Sequence, residues 1–352
     1  MKFDRIQFET TNNCNMRCSF CPNRTMKRAR MFLGFDIFKK TIDEISCNNL
    51  TNTISFVGNG EPLLDNKIGE KIKYCKLKGL KTVITTNGVL LKRITPDILK
   101  NLDILYISWQ TFNESSFKMR NINLNYDDYE AKILNFLNEN YNKSTKIILS
   151  IMFIRKRKRF MMDLLPDSYY ALFQQNGRGL YKTLKKVEKI IPCKQVNFEK
   201  IYQIIKKGVH FLNNEHQLSN NLFLNIDEYF DWGGRLQGYS EGFVRMPCLK
   251  GSCKIMLAGP LVLSNGEVSI CCQDAEGNVT VDNLNNSSLM QILLSKKYQD
   301  VYNGFKNNRI ILSHCQKCKG YWKHKNKYKN LLYNIDLIYN SFKFRLKKFL
   351  LN

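Results

Sequence analysis

Residues 5–21 read RIQFETTNNCNMRCSFC, a short β-type run, Arg5–Thr10, followed at once by Cys14-x3-Cys18-x2-Cys21. Three thiolates at this spacing can surround one iron–sulfur cube, whereas a complete all-cysteine [4Fe-4S] site needs four. One iron is then left without a protein ligand, and it can take the amino and carboxylate groups of a small molecule. The loop after a strand's C-terminal end is where barrel enzymes place such sites. The competing reading is a structural zinc knuckle, which uses C-x2-C pairs and a fourth Cys or His nearby. No His occurs before His210.

Outward from that loop, β-type runs alternate with amphipathic stretches, the pattern of repeated βα units around a parallel sheet. Strands are predicted at Arg5–Thr10, Thr53–Val57, Thr82–Thr86, Ile104–Ser108, Lys146–Phe153 and Leu222–Ile226. Helices are predicted near Phe35–Ser46, Lys67–Lys78, Pro96–Asn101 and Tyr126–Asn140. Two lysine-rich stretches, Tyr181–Ile191 and Phe198–Leu212, read as a helical insertion. Further on, Leu261–Leu263 and Val268–Ile270 flank Ser264-Asn265-Gly266-Glu267, whose Asn-Gly pair marks a hairpin and the start of a small C-terminal domain.

The chain has 352 residues, 43% of them hydrophobic, enough for one large domain and a smaller one. Its N-terminus carries no apolar signal-like stretch and no segment is long enough to span a bilayer, so a cytoplasmic protein is expected. The 12 cysteines fall mostly into tight groups, which in that setting means metal or redox chemistry. Cys47, Cys75 and Cys193 stand alone and read as buried, inert thiols. The formal charge of +25 and the pI near 9.5 would suit an anionic partner. Lysine is spread along the whole chain, however, and only Arg155–Arg159 and the basic C-terminal stretch concentrate it, so no nucleic-acid partner is expected.

Cys14-Asn-Met-Arg-Cys18-Ser-Phe20-Cys21 resembles the signature of the radical S-adenosylmethionine (SAM) superfamily, including the aromatic residue before the third cysteine. Gly58-Asn-Gly60-Glu61-Pro62, after the second strand, resembles that family's Gly-Gly-Glu-Pro segment, with Asn59 in place of a glycine. Thr85-Thr86-Asn87-Gly88 and Ser108-Trp109-Gln110 follow the third and fourth strands and resemble its Thr-Asn-Gly turn and Ser-x-Asp/Gln element. The resemblance implies an α/β fold, a partial (β/α)6 TIM-type barrel over residues 1–226 with a helical insertion at about 167–214. It further implies a [4Fe-4S] cluster on Cys14, Cys18 and Cys21, and SAM held by Phe20, Gly60, Glu61, Asn87, Ser108 and Gln110, with Glu61 receiving the SAM ammonium. An external one-electron donor such as flavodoxin or ferredoxin comes with that chemistry.

Cys248, Cys253, Cys271, Cys272, Cys315 and Cys318 form a second group, whose layout resembles the SPASM or shorter twitch extension of the same superfamily. Cys253, Cys271, Cys315 and Cys318 match that pattern and would complete an auxiliary [4Fe-4S] cluster in a small α+β domain over residues 227–325. Cys271 is preferred to Cys272 because adjacent residues at a strand end face opposite ways. Cys248 and Cys272 are spare. A zinc ribbon is the alternative for this half. Asp231–Arg235 resembles a Trp-Gly-Gly linker, with a packing and turn role. Residues 326–352 read as a basic amphipathic helix with Leu331, Leu332, Ile335 and Ile338 on one face, expected to pack on the barrel, with dimerisation or peripheral membrane contact as alternatives.

Together these features predict an enzyme that cleaves SAM to a 5′-deoxyadenosyl radical and oxidises or otherwise modifies a sugar- or aminocyclitol-like small molecule. A peptide or protein maturase is the alternative within the family. A zinc-bearing nucleic-acid-binding protein is the alternative outside it.

Overall fold

The computed structural model describes residues 1–141, 143–153, 176–191, 198–207, 214–228 and 243–328, together with 331, 335 and 338. The Arg155–Arg159 run, Cys193, Asp231–Arg235 and most of the C-terminal stretch lie outside the described residues.

Six parallel strands build the barrel wall: β1 (Ile6–Phe8), β2 (Thr53–Phe56), β3 (Lys81–Thr86), β4 (Ile104–Ser108), β5 (Lys146–Phe153) and, beyond β6 (Asn214–Gln217), β7 (Leu222–Glu228). They are arranged in the order β1-β2-β3-β4-β5-β7, with β6 antiparallel on the far edge. Parallel strands in such folds are covered on both faces by helices. Ile54, Phe56, Ile84, Leu105, Ile107, Ile147, Leu149, Leu222 and Leu224 are all buried accordingly. The parallel sheet is the one the βα pattern predicts, and the α/β partial barrel is the one the resemblance implies.

The covering helices are α1 (Phe35–Cys47), α2 (Ile68–Leu77), α3 (Pro96–Asn101), the short α4 (Glu114–Phe117), α5 (Tyr126–Asn140), α6 (Asn176–Ile190) and α7 (Phe198–Lys207). α5 shows why such a segment becomes helix. The Asn125 side chain accepts the Asp128 N–H at its N-terminus, and Tyr126, Tyr129, Ile133, Phe136 and Leu137 recur at helical spacing on the buried face. Each of those side chains contributes about 1.5–3 kcal/mol by leaving water.

C-terminal to the barrel come β8 (Phe243–Met246), α8 (Lys254–Ala258), β9 (Leu261–Val262), β10 (Glu267–Ser269), β11 (Thr280–Asn283), α9 (Leu289–Leu294), α10 (Lys296–Lys306), α11 (Ser313–Cys318) and β12 (Tyr321–His324). The predicted hairpin is β9–β10, and it does not stand apart: β9 pairs in parallel with β1, Gln7 opposite Leu261 and Phe8 opposite Val262, so the barrel sheet continues into it. Gly259 permits the approach. A Cβ there would lie 1.9 Å from the Arg5 carbonyl oxygen. The Glu44 carboxylate of α1 also accepts the backbone N–H groups of Leu289 and Met290 at the start of α9, a second tie between the two regions.

Two expectations are corrected. Cys75 is buried, but Cys47 is exposed, because it is the last residue of α1 and lies beyond the buried positions Phe38, Ile42 and Ile45. In the C-terminal stretch, Tyr328, Leu331, Ile335 and Ile338 are all exposed, so these four do not pack on the barrel. Among the described residues no helix is long and apolar enough to cross a membrane.

Candidate functional site: two thiol centres on one sheet

The first centre forms where β1 to β4 end. The chain leaving β1 is tied down before it reaches the cysteines: Thr11 Oγ1 donates to the Met31 carbonyl at 2.8 Å, and Asn12 Nδ2 to that of Ala29 at 2.7 Å. Gly60 then lies directly against it. A Cβ on Gly60 would sit 2.0 Å from the Thr11 carbonyl oxygen and 2.7 Å from that of Asn13, and the next residue's N–H donates to Asn13 O at 2.8 Å. Only glycine allows two backbones to approach this closely. The Gly-Glu-Pro segment and the cysteine loop are thus one packed unit.

Asn87, on the turn after β3, reaches over the same loop, donating from Nδ2 to Asn15 Oδ1 at 2.8 Å and towards Cys14 Sγ at 3.8 Å. Glu61 is buried beneath that turn. Its Oε1 accepts from the Leu63 N–H at 3.0 Å and Thr86 Oγ1 at 2.8 Å, and its Oε2 from the Asn87 N–H at 2.7 Å. Burial raises its pKa, and those three donors work against the rise. The carboxylate thereby shapes the Asn87 turn.

The three thiols sit close enough to act on one another. Burial pushes Cys14 up to about 11, with Glu61 and Cys18 adding to the rise, and Cys21 up to about 12, with Cys18 and Cys14 adding to it. Cys18 is raised by burial too, against the pull of the Arg120 guanidinium. Without metal these are thiols, and iron binding would release their protons. Phe20 is buried in the same loop and Gln110 just past β4, while Ser108 ends β4 and lends its carbonyl to Arg120 Nη2 at 2.7 Å.

Arg120 has no counterpart in the sequence reading. It is buried, donates also to Thr111 Oγ1 at 3.1 Å, approaches Met16 Sδ at 3.6 Å and lies over the Tyr129 ring at 5.3 Å. It joins the end of β4 to the cysteine loop, whose Arg17 N–H donates to the Arg120 carbonyl at 3.1 Å. No local pattern announces such a residue, because its partners are up to 104 positions away.

The second centre lies beyond β9. Cys253, Cys271, Cys315 and Cys318 line one small cavity, together with Met256, Ile270 and Phe305. Cys272 is not among that cavity's lining; burial raises its pKa, Arg5 and Gln7 of β1 work against the rise, and Cys253 adds to it. Burial also raises Cys271 strongly, with Cys272, Cys253 and Cys315 adding to it, and takes Cys315 to about 12, with Cys253 and Cys318 adding to it. Cys248 bonds the Lys250 carbonyl and is not among the cavity's lining. The loop after Cys271 is shaped by buried Asp274, which accepts from Ser269 Oγ at 3.0 Å and from the N–H groups of Asn278 and Val279 at 2.8 and 2.9 Å.

Both centres fit iron–sulfur clusters. Among the described residues no three His, Cys, Asp or Glu side chains converge on single-ion geometry, whereas a cube spreads its thiolates over separate irons. Near the first centre Thr10 Oγ1, Asn15 Nδ2 and Asn59 Oδ1 are buried without partners. Each costs about 1–3 kcal/mol until a polar ligand satisfies it. SAM brings the ammonium, carboxylate and hydroxyls to do so.

Known proteins carry the same two regions. Residues 8–159 match the family model described as the radical SAM superfamily, and residues 253–319 match the SPASM model, an iron–sulfur cluster-binding domain. The uncharacterised protein MJ0804 of Methanocaldococcus jannaschii is 31% identical over 225 residues, 62% of this chain and 67% of that protein. The tungsten-containing aldehyde ferredoxin oxidoreductase cofactor-modifying protein of Pyrococcus furiosus is 30% identical over 108 residues, 29% of this chain and 30% of that one. The chain thus spans about two thirds of the first relative and about a third of the second. Among solved structures, Streptococcus suis SuiB bound to the precursor peptide SuiA superposes with a TM-score of 0.54 at 14% identity, over 89% of this chain and 69% of that one, a likeness of fold. The zinc reading gives way to these matches, and the cofactors are SAM, the [4Fe-4S] cluster that binds it and auxiliary iron–sulfur. With one thiol centre in each matched region and a single sheet joining them, the chain is an enzyme of the radical SAM superfamily with a SPASM-type C-terminal region.

Proposed function

We propose that the protein cleaves SAM reductively and oxidises an organic substrate by two electrons. Cys14, Cys18 and Cys21 hold the SAM-binding cluster, and Cys253, Cys271, Cys315 and Cys318 hold one auxiliary [4Fe-4S] cluster. The observation that supports this most is the inequality of the two thiol sets. Three thiolates leave an iron open for SAM, while four saturate a cube and leave it fit only to carry electrons. When bound, these groups supply one-electron cleavage of SAM, a 5′-deoxyadenosyl radical that takes a hydrogen atom from substrate, and an acceptor for the remaining electron.

The chain's own residues bind, orient and exclude water. Gly60 and Glu61 fix the segment that faces SAM, Asn87 holds the turn above Cys14, Ser108 and Gln110 present polar groups at the end of β4, and buried Phe20 closes the loop. The first electron comes from an external donor of the flavodoxin or ferredoxin type. A substrate that loses a hydrogen atom, then an electron and a proton, leaves as the two-electron oxidised product. The same balance serves a sugar or aminocyclitol and a peptide.

The test is to incubate anaerobically reconstituted, dithionite-reduced protein with SAM and with panels of aminocyclitols and peptides. Release of 5′-deoxyadenosine in step with a product 2 Da lighter supports the reading. Wild-type 5′-deoxyadenosine yield after replacing Cys14, Cys18 or Cys21 by Ala would overturn it.

A further inference from the structure

We infer that Glu9 is a positioning residue that locks the SAM-facing segment to the auxiliary region, so that occupancy of one is felt at the other. This rests on the SAM-binding role proposed above.

Glu9 follows the last residue of β1, and its side chain is fully buried. Around its carboxylate three distant segments converge. Arg28 Nη2, from the loop after Cys21, donates at 2.8 and 3.0 Å. Asn59, between Gly58 and Gly60, donates its N–H at 3.0 Å and its Nδ2 at 3.3 Å. Ser264, at the turn between β9 and β10, donates its N–H at 3.2 Å and its Oγ at 3.0 Å. Arg28 continues the chain of contacts, since its Nε donates to the Ala275 carbonyl at 2.6 Å, and the neighbouring Lys27 N–H donates to the Glu276 carboxylate at 3.0 Å. Asn59 is therefore two side chains away from the loop that follows Cys271.

Every group aimed at Glu9 is a donor. A glutamine there would turn an NH2 towards other N–H groups, and a buried guanidinium would lose its counter-charge. A carboxylate is what allows these segments to meet, and a rigid carboxylate shared by two sites makes their loading interdependent. Such coupling is reciprocal, so SAM bound on the Asn59 side tightens the β9–β10 hairpin to the same degree that the hairpin tightens SAM.

The experiment uses the reconstituted full chain, measuring SAM affinity by calorimetry and amide hydrogen exchange over residues 261–270 with and without SAM. In the wild type SAM slows exchange in the hairpin. Glu9→Gln binds SAM about tenfold or more weakly, a factor in keeping with loss of a charge-assisted hydrogen bond, and SAM no longer slows the hairpin. Ser264→Ala, which keeps the Glu9 charge and removes one donor, retains SAM affinity within about threefold and shows a reduced hairpin response. Should Glu9→Gln fail to fold, Ser264→Ala decides alone. Wild-type affinity and wild-type SAM-dependent protection in the variants would overturn the role of Glu9 while leaving the SAM reading intact. A wild-type chain that binds no SAM would refute both.

Discussion

The Glu61 carboxylate accepts the Asn87 backbone N–H at 2.7 Å, and the Asn87 side chain in turn reaches Asn15 and Cys14. A residue of the Gly-Glu-Pro segment is thereby connected to the cysteine loop through the turn after β3. Glu61→Gln would place an amide NH2 against the Leu63, Thr86 or Asn87 donors. SAM affinity should fall by about 1.5–3 kcal/mol, the worth of a hydrogen bond to a charged group, through displacement of the Asn87 turn. Calorimetric titration of SAM measures this, and unchanged affinity would detach Glu61 from the site.

Gly60 offers a harsher test. An alanine Cβ at that position would fall 2.0 Å from the Thr11 carbonyl oxygen, a backbone atom that cannot rotate away. Gly60→Ala should separate the segment from the cysteine loop and lower SAM affinity at least about tenfold, of the order of one lost charge-assisted contact. Gly34→Ala is the control, because the nearest atom to its Cβ is an Ile37 methyl at 4.0 Å, and SAM affinity should not change. Equal effects of the two substitutions would argue against close packing as the cause.

A pH dependence follows from Glu130 on α5. It accepts from Tyr126 OH at 2.8 Å and Thr183 Oγ1 at 2.7 Å, and it pairs with Lys186 on α6. Burial alone would raise its pKa, but Lys186, Thr183 and Tyr126 outweigh burial and hold it below the ordinary glutamate value. The unfolded chain then binds the proton more readily than the folded one. The stabilisation is complete above the unfolded value of about 4.3 and is lost as pH falls through the lower folded value. Urea unfolding should show Glu130→Gln less stable than wild type by about 1–3 kcal/mol at pH 7, with the gap closing in acid. A gap that widened in acid would reverse the assignment.

The barrel is legible in the sequence because its signals are local. Thr53–Phe56 and Ile104–Ser108 are short β-type runs, and Tyr126–Asn140 carries its own cap and helical stripe. The cysteine loop is legible by spacing alone. What cannot be read depends on partners far along the chain: Glu9 meets Ser264 across 255 positions, and β9 is two residues long, too short for any periodicity, yet it extends the sheet from β1. Cys47 departs from expectation because a helix pattern does not say where its buried face ends.

The auxiliary centre gives the most direct count. Cys253, Cys271, Cys315 and Cys318 line one cavity, and Cys272, next to Cys271, is not part of that lining. With Cys14, Cys18 and Cys21 all replaced by Ala, the first cluster has no anchors, and reconstituted protein should retain about four irons per chain, the content of one cube. Adding Cys271→Ala should remove most of that iron, because three remaining thiolates leave a corner open to solvent and oxidants. Adding Cys272→Ala should leave the iron in place and disturb only the contact with β1. Iron and sulfide analysis, with the visible charge-transfer absorption of thiolate-bound clusters, measures all three variants. Loss of iron with Cys272 instead of Cys271 would transfer the ligand to the neighbour and require the β10 end to rotate, and an iron-free triple variant would remove the auxiliary cluster from the mechanism.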